Sequence, residues 1–197
     1  MNKFYTQTLI PIPDIDFKSM WPNAADDTTD TRPRWKRYTA ESPLWNTTIT
    51  SKLEECGLVP TCIRLFRWVP NTVFPWHVDG DFSKGEVTEF AINWVYEGAG
   101  IIQWNSELVL PPPGPVNGPN SSLPIVFGSK QGLISDNFEA EELGHGCIVN
   151  TVIPHRLVNM TPVHRITGSI LFGNTLTYSQ AVDQLLKHGL INVSMRG

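Results

Sequence analysis

His77 and Asp79 are the residues whose types and spacing most clearly point to chemistry. They flank Val78 in the segment FPWHVDG, residues 74–80. Alternate residues of a β-strand project to the same face, so the imidazole and the carboxylate point to one side. Two such groups aimed at one point can share a metal ion. The alternative is a surface histidine followed by a turn aspartate, because so short a motif often occurs by chance.

A third metal ligand is offered by His155, which opens the segment HRLVN. Strands far apart in sequence can meet across an antiparallel double sheet. Two histidines and one carboxylate form a facial set that leaves three coordination positions open. Such a set suits non-haem Fe(II) that binds a co-substrate and O2, whereas a structural zinc site uses four protein ligands, usually with cysteines. The pattern therefore predicts Fe(II) at His77, Asp79 and His155.

A carboxylate receptor is predicted ten residues further on, in the segment RITGSILFG that begins at Arg165. Arg165, Thr167 and Ser169 share one face of this strand. A guanidinium beside a hydroxyl binds a carboxylate in two-point fashion. The alternative is a surface arginine in a salt bridge, but the strand is strongly apolar, and a buried arginine needs a partner.

Four more residues are candidates for the same site. Asn93 is polar in the middle of a strand and needs a hydrogen-bond partner, either the co-substrate or a structural one. Arg64 and Arg67 lie on opposite faces of one strand; one can bind a carboxylate in a pocket, and we expect at least one to be exposed. Trp76 and Trp94 either line a substrate pocket or pack in the core.

The three motifs, His77-Val78-Asp79, His155 and Arg165-Ile166-Thr167, together resemble the HxD…H…RxS/T pattern of the Fe(II)- and 2-oxoglutarate-dependent oxygenases, in order and in spacing. The stretch PHRLVNMTPVHRITGSILFG is most similar to the aspartyl/asparaginyl hydroxylase and prolyl hydroxylase-like branches. The resemblance covers about residues 60–175. Thr167 replaces the serine of the pattern and keeps its hydroxyl, and Asp79 is retained although some aspartyl hydroxylases lack this ligand.

This resemblance implies Fe(II) held by the three ligands, with no further catalytic side chain. It implies 2-oxoglutarate chelating the metal, with its distal carboxylate paired to Arg165 and hydrogen-bonded to Thr167. Ser169 and Asn93 are further candidates for contact with this co-substrate. With O2, the reaction would give succinate, CO2 and a hydroxylated peptide side chain or small metabolite.

The elements that must position these residues are short strands. Residues 60–175 contain runs of β-branched and aromatic residues separated by Pro, Gly and Asn, and no helical pattern lies between them. About eight such strands favour a jelly roll over a parallel α/β fold. Helices are predicted at 44–57 and 179–189, each ended by a glycine. We therefore expect a mainly β protein with a double-stranded β-helix core, cupin-like, flanked by helices from the N- and C-terminal regions.

The whole chain, residues 1–197, is expected to form one domain. Residues 1–59 would wrap the core and contribute the first helix, residues 60–175 would form the catalytic core, and residues 176–197 would form the second helix and a tail. The Pro-rich stretch at 111–124 predicts a long loop, either a lid or a surface insertion.

Composition excludes several classes of protein. With 41% apolar and 17% charged residues, the chain is not of the disordered class. A net charge of −4 gives no signal for nucleic-acid binding. The three cysteines form no CxxC pair and are expected to be buried free thiols. Because no signal peptide or long apolar run is found, we expect a cytoplasmic protein that does not enter membranes.

Two other functions stay open at this point. One is a cupin-type metalloenzyme that does not use 2-oxoglutarate and has no need of Arg165. The other is a jelly-roll module that binds a ligand without catalysis. The sequence gives no indication of the oligomeric state.

Overall fold

Alternating apolar and polar residues between turn residues fold here into short antiparallel strands. The computed structural model describes residues 4–11, 34–39, 47–81, 86–107, 125–126, 136–140, 145–173 and 176–191. Its strands are β1 Tyr5–Pro11, β2 Arg34–Thr39, β3 Pro60–Trp68, β4 Thr72–Val73, β5 His77–Val78, β6 Gly80–Asp81, β7 Glu86–Val87, β8 Phe90–Glu97, β9 Gly100–Trp104, β10 Ile125–Val126, β11 Asp136–Ala140, β12 His145–Asn150, β13 His155–Asn159 and β14 Arg165–Phe172. Its helices are α1 Thr47–Glu55 and α2 Tyr178–Lys187.

The strands form two larger antiparallel sheets. The major sheet has the order β1-β12-β8-β14-β3-β2, and the minor sheet has the order β10-β5-β13-β9-β11, with β4 also paired to β13. Within the described ranges, β6 and β7 pair with each other outside both sheets.

The connectivity of these sheets is that of a jelly roll. The pairs β9–β11, β8–β12, β5–β13 and β3–β14 are nested one inside the next along the chain. Successive pairs alternate between the minor and the major sheet, as in one long antiparallel hairpin wound into a double-stranded β-helix. This confirms the predicted mainly β, cupin-like fold.

The two helices cover the outer face of the major sheet. Leu53 of α1 and Leu185 of α2 are fully buried and join Ile92, Ile148 and Ile170 of the sheet in one apolar cluster. The inner face of the same sheet forms a second apolar cluster that includes Ile102 and Trp104 of the minor sheet. The major sheet therefore separates a core under the helices from the interior of the barrel.

Glycines end both helices, as the sequence predicts. Gly57 and Gly189 have φ values of 73° and 69°, a left-handed conformation that glycine adopts without steric cost. The second helix begins with a capping box in which Thr177 and Gln180 bond each other's backbone N–H groups. Thus the helix predicted at 179–189 is present, and the one predicted at 44–57 is present from Thr47, residues 40–46 lying outside the described ranges.

Three further expectations can be compared with the structure. Cys56, Cys62 and Cys147 are buried free thiols, as expected. None of the described helices has the length and apolar character needed to cross a membrane. The loop predicted at 111–124 lies outside the described residues, and the division of the chain at residues 59 and 175 stays a prediction.

Replacing Leu185 with alanine tests the packing of α2 against the sheet. Because Leu185 is fully buried, Leu185→Ala should lower the free energy of unfolding by about 2–5 kcal/mol in urea denaturation. The exposed Asp183 of the same helix is the control, and Asp183→Ala should change stability by less than about 0.5 kcal/mol. Equal effects of the two changes would contradict this packing.

Candidate metal centre

Antiparallel pairing of β5 with β13 brings the two histidines together. His155 lies directly opposite His77 in the register, and opposed residues project to the same face of a sheet. Asp79, two residues after His77, is anchored by its backbone to Thr151 and Thr88 through hydrogen bonds of 3.2 Å each. The predicted ligands are therefore brought to one point by one strand pairing and one strand end.

The side-chain atoms of this cluster are close enough to share one ion. The Nε2 atoms of His77 and His155 lie 3.7 and 4.0 Å from Oδ1 of Asp79. All three candidate ligand atoms lie within 4.8 Å of one another. The arrangement matches the three-residue facial set predicted from the sequence, and the role of these residues as ligands stays a prediction.

Hydrogen bonds at the other ring nitrogens fix which atoms face the centre. Nδ1–H of His77 donates to the carbonyl of Pro75 at 2.9 Å, and Nδ1–H of His155 donates to the carbonyl of Ile153 at 3.0 Å. A carbonyl can only accept, so both Nδ1 atoms carry the proton. Both Nε2 atoms therefore face the carboxylate of Asp79, which is the orientation that metal-binding histidines need.

Burial favours the neutral form of His77. Loss of solvation, together with the neighbouring His155, lowers its pKa from 6.5 to about 4, against smaller opposing effects of Asp79 and the Pro75 carbonyl. The imidazole is therefore neutral at pH 7, the form that binds metals. The Nε2 atoms of the two histidines and the carboxylate of Asp79 converge, and such a set of donors is complementary to a cation.

Aromatic rings line the route from the histidines toward β14. The ring of Phe74 meets that of His77 edge-on, with 4.9 Å between the ring centroids, and Trp68 meets Phe74 edge-on with 5.2 Å between the centroids. Phe66 stacks on Trp68 at 5.6 Å. We call Phe66, Trp68 and Phe74 the aromatic wall. It packs against His77 through Phe74 and makes this side of the metal cluster apolar.

Arg165 lies in the barrel, and no described residue forms a salt bridge with it. Its side chain is 1% exposed, and its Nε and Nη1 atoms find no hydrogen-bond partner among the described residues. Burial lowers the pKa of the guanidinium to about 10, so it remains protonated at pH 7. A buried cation without a partner is costly, and an anionic ligand would remove that cost.

Gly100 at the start of β9 makes room for this arginine. A Cβ atom at this position would lie 2.8 Å from both Cδ and Nη1 of Arg165. The side chain thus extends from β14 of the major sheet onto the backbone of β9 in the minor sheet. Gly100 is not among the residues predicted for the site, although a glycine inside a strand often marks such a close approach.

Other predicted co-substrate residues share the inner face with Arg165. Thr167 and Ser169 are buried there, and Ser169 lies between Arg64 on β3 and Asn93 on β8 in the register. Oδ1 of Asn93 is buried and finds no hydrogen-bond partner in the described part of the chain. The sheet thus brings a hydroxyl, an amide and a second guanidinium into one row beside the Arg165 position.

One expectation for this region is corrected, and of the two alternatives for Trp76 and Trp94 the structure favours packing. Arg67 is 3% exposed on the outer face and Arg64 is half-buried on the inner face, so neither is the solvent-exposed arginine that we expected. Trp94 lies in the core beneath the helices. Trp76 is buried under the guanidinium of Arg156, at 4.4 Å, on the face of β13 opposite His155.

The two tryptophans therefore do not face the barrel interior as pocket residues would. The reason is strand alternation, because each is adjacent in sequence to a residue that does point inward. Trp68, which the sequence analysis did not single out, points inward instead, and its indole N–H donates to Oγ1 of Thr167 at 3.1 Å.

Comparison with protein-family models and with curated proteins finds no match for this chain. Among solved structures, E. coli ycfD is similar over 91% of this chain and 52% of its own length, with 12% identity and a TM-score of 0.45. Another structure of that protein names it a ribosomal oxygenase. The plu4264 protein of Photorhabdus luminescens is similar over 80% of this chain and 86% of its own, with 13% identity and a TM-score of 0.36.

Hydroquinone 1,2-dioxygenase PnpCD, in complex with Cd2+ and 4-hydroxybenzonitrile, is similar over 60% of this chain and 63% of its own, with 10% identity and a TM-score of 0.36. This chain spans less than two thirds of that protein and of E. coli ycfD. Similarity at these identities and TM-scores assigns neither a family nor a reaction to this chain.

Metal titration tests the three ligands. We expect the protein to bind one equivalent of Mn(II) in calorimetry, and Asp79→Ala to weaken that binding more than the 10–100-fold typical of outer-sphere changes. The control is Asp183→Ala, on the exposed side of α2, which should bind as the unchanged protein does. Undiminished binding by Asp79→Ala would contradict the assignment of this ligand.

The stability of the metal-free protein should fall in acid because of His77. Its pKa is about 4 in the folded chain and about 6.5 when unfolded, so the unfolded state binds more protons between these values. The contribution of His77 to the free energy of unfolding is therefore full above pH 6.5 and decreases by about 3 kcal/mol as the pH falls to 4. Urea denaturation at several pH values should show a shallower dependence for His77→Gln, whereas His188→Gln, at the exposed end of α2, should keep it.

Proposed function

We propose that this protein is an Fe(II)- and 2-oxoglutarate-dependent oxygenase that hydroxylates a C–H bond of a peptide side chain or a small metabolite. The observation that supports this most is the buried guanidinium of Arg165, whose Nε and Nη1 atoms have no partner among the described residues, in the same barrel as the His77, Asp79 and His155 cluster. A set of electron donors at one place and a lone cation at another are complementary to a metal chelated by a dicarboxylic oxoacid.

The donor set fits Fe(II). Two imidazoles and one carboxylate occupy one side of the centre and would leave three positions for exogenous ligands. When bound, Fe(II) supplies the activation of O2 that couples decarboxylation of the oxoacid to oxidation of a C–H bond. His77, Asp79 and His155 hold the ion, and the hydrogen bonds to Pro75 and Ile153 keep both imidazoles aimed at it.

Arg165 is the group that distinguishes a dicarboxylic oxoacid from a monocarboxylic one. Its Nε and Nη1 donors, lacking a partner in the described residues, suit the two oxygens of a carboxylate. Because the arginine is buried, the ion pair would form in a medium of low dielectric and would be stronger than at a surface. The hydroxyl of Thr167, on the same face, supplies a further hydrogen bond.

The surroundings of the centre would keep water away. The aromatic wall covers one side of His77, and the apolar cluster that contains Ile102 and Trp104 fills the barrel interior nearby. Exclusion of water strengthens the electrostatic interactions of the site and limits side reactions of an activated oxidant. The protein's own residues thus bind, orient and shield, and no side chain needs to act as an acid or a base.

The primary substrate would contact the inner row of the major sheet. Asn93 offers a buried amide oxygen without a partner among the described residues, next to Ser169 and, beyond it, Arg64. These polar groups suit a substrate that carries hydrogen-bonding groups, such as a peptide side chain or a small metabolite. We propose a cytoplasmic setting, in which the three free thiols would remain reduced.

Succinate production tests the proposed function. Anaerobically reconstituted with Fe(II) and then given O2, the protein should convert 2-oxoglutarate to succinate, measured by mass spectrometry. Arg165→Ala should raise KM for 2-oxoglutarate by at least about 100-fold, because it removes a charged hydrogen-bonding pair worth about 3 kcal/mol or more. Arg156→Ala is the matched control, since this arginine lies on the opposite face of β13 from His155, and it should leave KM unchanged.

Gly100→Ala offers a second test that removes no functional group. The added methyl group would displace the Arg165 side chain and should raise KM for 2-oxoglutarate while leaving Mn(II) binding intact. Retention of a metal-dependent activity by Arg165→Ala would favour a cupin-type enzyme without 2-oxoglutarate. Absence of bound metal after anaerobic reconstitution would favour a non-enzymatic binding module.

A further inference from the structure

Trp68 makes a directional hydrogen bond inside the site. Its Nε1–H donates to Oγ1 of Thr167 at 3.1 Å, and both residues are buried. An indole nitrogen is only a donor, so the hydroxyl accepts this bond and keeps its own proton for another acceptor. With one side of the oxygen occupied by the indole, that proton is directed away from Trp68.

The register places this bond beside the guanidinium. Trp68 lies directly opposite Arg165 on the paired strands β3 and β14, and Thr167 is two residues along the same face. An acceptor that paired with Arg165 in the barrel would therefore be a neighbour of the Thr167 hydroxyl. Cross-strand and diagonal neighbours on one face lie within the reach of such side chains.

The indole is itself held in a fixed orientation. Phe66 stacks on it with an interplanar angle of 19°, and Phe74 meets it edge-on at 73°. Phe74 in turn contacts the ring of His77. Trp68 is thus packed between the aromatic residues next to the metal cluster and the hydroxyl next to Arg165.

We propose that Trp68 is a positioning residue that aims the Thr167 hydroxyl at the distal carboxylate of the oxoacid and so contributes to the preference for a dicarboxylic co-substrate. This inference rests on the proposed function. It assigns the indole N–H, and not only the bulk of the ring, a role in recognition. Trp68 itself need not touch the ligand.

Calorimetry with two oxoacids separates this role from packing. Protein loaded with Mn(II) is titrated with 2-oxoglutarate and with 2-oxobutyrate, which keeps the chelating end but lacks the distal carboxylate. Trp68→Phe should weaken the binding of 2-oxoglutarate about five- to tenfold and should change the affinity for 2-oxobutyrate by less than twofold, as expected for one lost hydrogen bond. Trp76→Phe is the control, because the Trp76 N–H has no hydrogen-bond partner among the described residues and its ring faces away from the cavity.

A double-mutant cycle with Thr167 completes the test. Thr167→Val should weaken the binding of 2-oxoglutarate but not that of 2-oxobutyrate, and Thr167→Ser, which keeps the hydroxyl, should retain the preference for 2-oxoglutarate. Adding Trp68→Phe to Thr167→Val should weaken the binding of 2-oxoglutarate little further. Equal weakening of both oxoacids by Trp68→Phe, or additive losses in the double variant, would overturn the inference. If the unchanged protein binds 2-oxoglutarate no better than 2-oxobutyrate, it is the proposed function that fails.

A spectroscopic measurement avoids any substitution in the titrated protein. In Zn(II)-loaded, 15N-labelled protein, the indole N–H resonance of Trp68 should shift when 2-oxoglutarate is added and should stay in place with 2-oxobutyrate. Thr167→Val should move that resonance in the free protein and so identify it. If the Trp68 resonance shifts with neither oxoacid, in protein that calorimetry shows to be saturated, the inference would be overturned.

Discussion

The register between β5 and β13 is the constraint on which the site depends. Because His155 lies opposite His77, one strand pairing brings two imidazoles together whose positions in the chain are far apart. A shift of one residue would turn either histidine to the other face of the sheet and dissolve the cluster. The same pairing keeps Asp79 within 4.0 Å of both Nε2 atoms, since this residue follows β5 directly.

The electrostatic pattern of the interior follows from this constraint. Lone pairs and a carboxylate converge at the metal cluster, whereas a protonated guanidinium is buried at the Arg165 position. Neither set of charges is compensated by the described side chains around it, which is costly for an interior. A cation chelated by a dicarboxylic oxoacid would compensate both at once, and for this reason we regard the two features as parts of one site.

The two faces of the major sheet have different roles, one in packing and one in the candidate site. Its outer face packs against both helices, and its inner face carries the row of Arg64, Ser169 and Asn93. Strand alternation made this division predictable for β14, where Arg165, Thr167 and Ser169 are polar and the residues between them are not. For Trp76 and Trp94 the same rule was available, although residue type left both a pocket and the core open. Their orientation follows from their neighbours His77 and Asn93, which take the inward positions.

The sequence by itself determined most strands between residues 60 and 175, where two glycines end the helices, and which side chains share a face, because these depend on local conformation and on a period of two. It did not predict β1, β2 or β11. The spacing of the HxD, His and Arg-x-Thr motifs also indicated the candidate site residues. Only the tertiary structure decided that His155 pairs with His77, that Gly100 accommodates Arg165, and that Trp68 bonds Thr167. Those contacts join different strands, and their existence depends on register and on the distance between sheets, which no local pattern specifies.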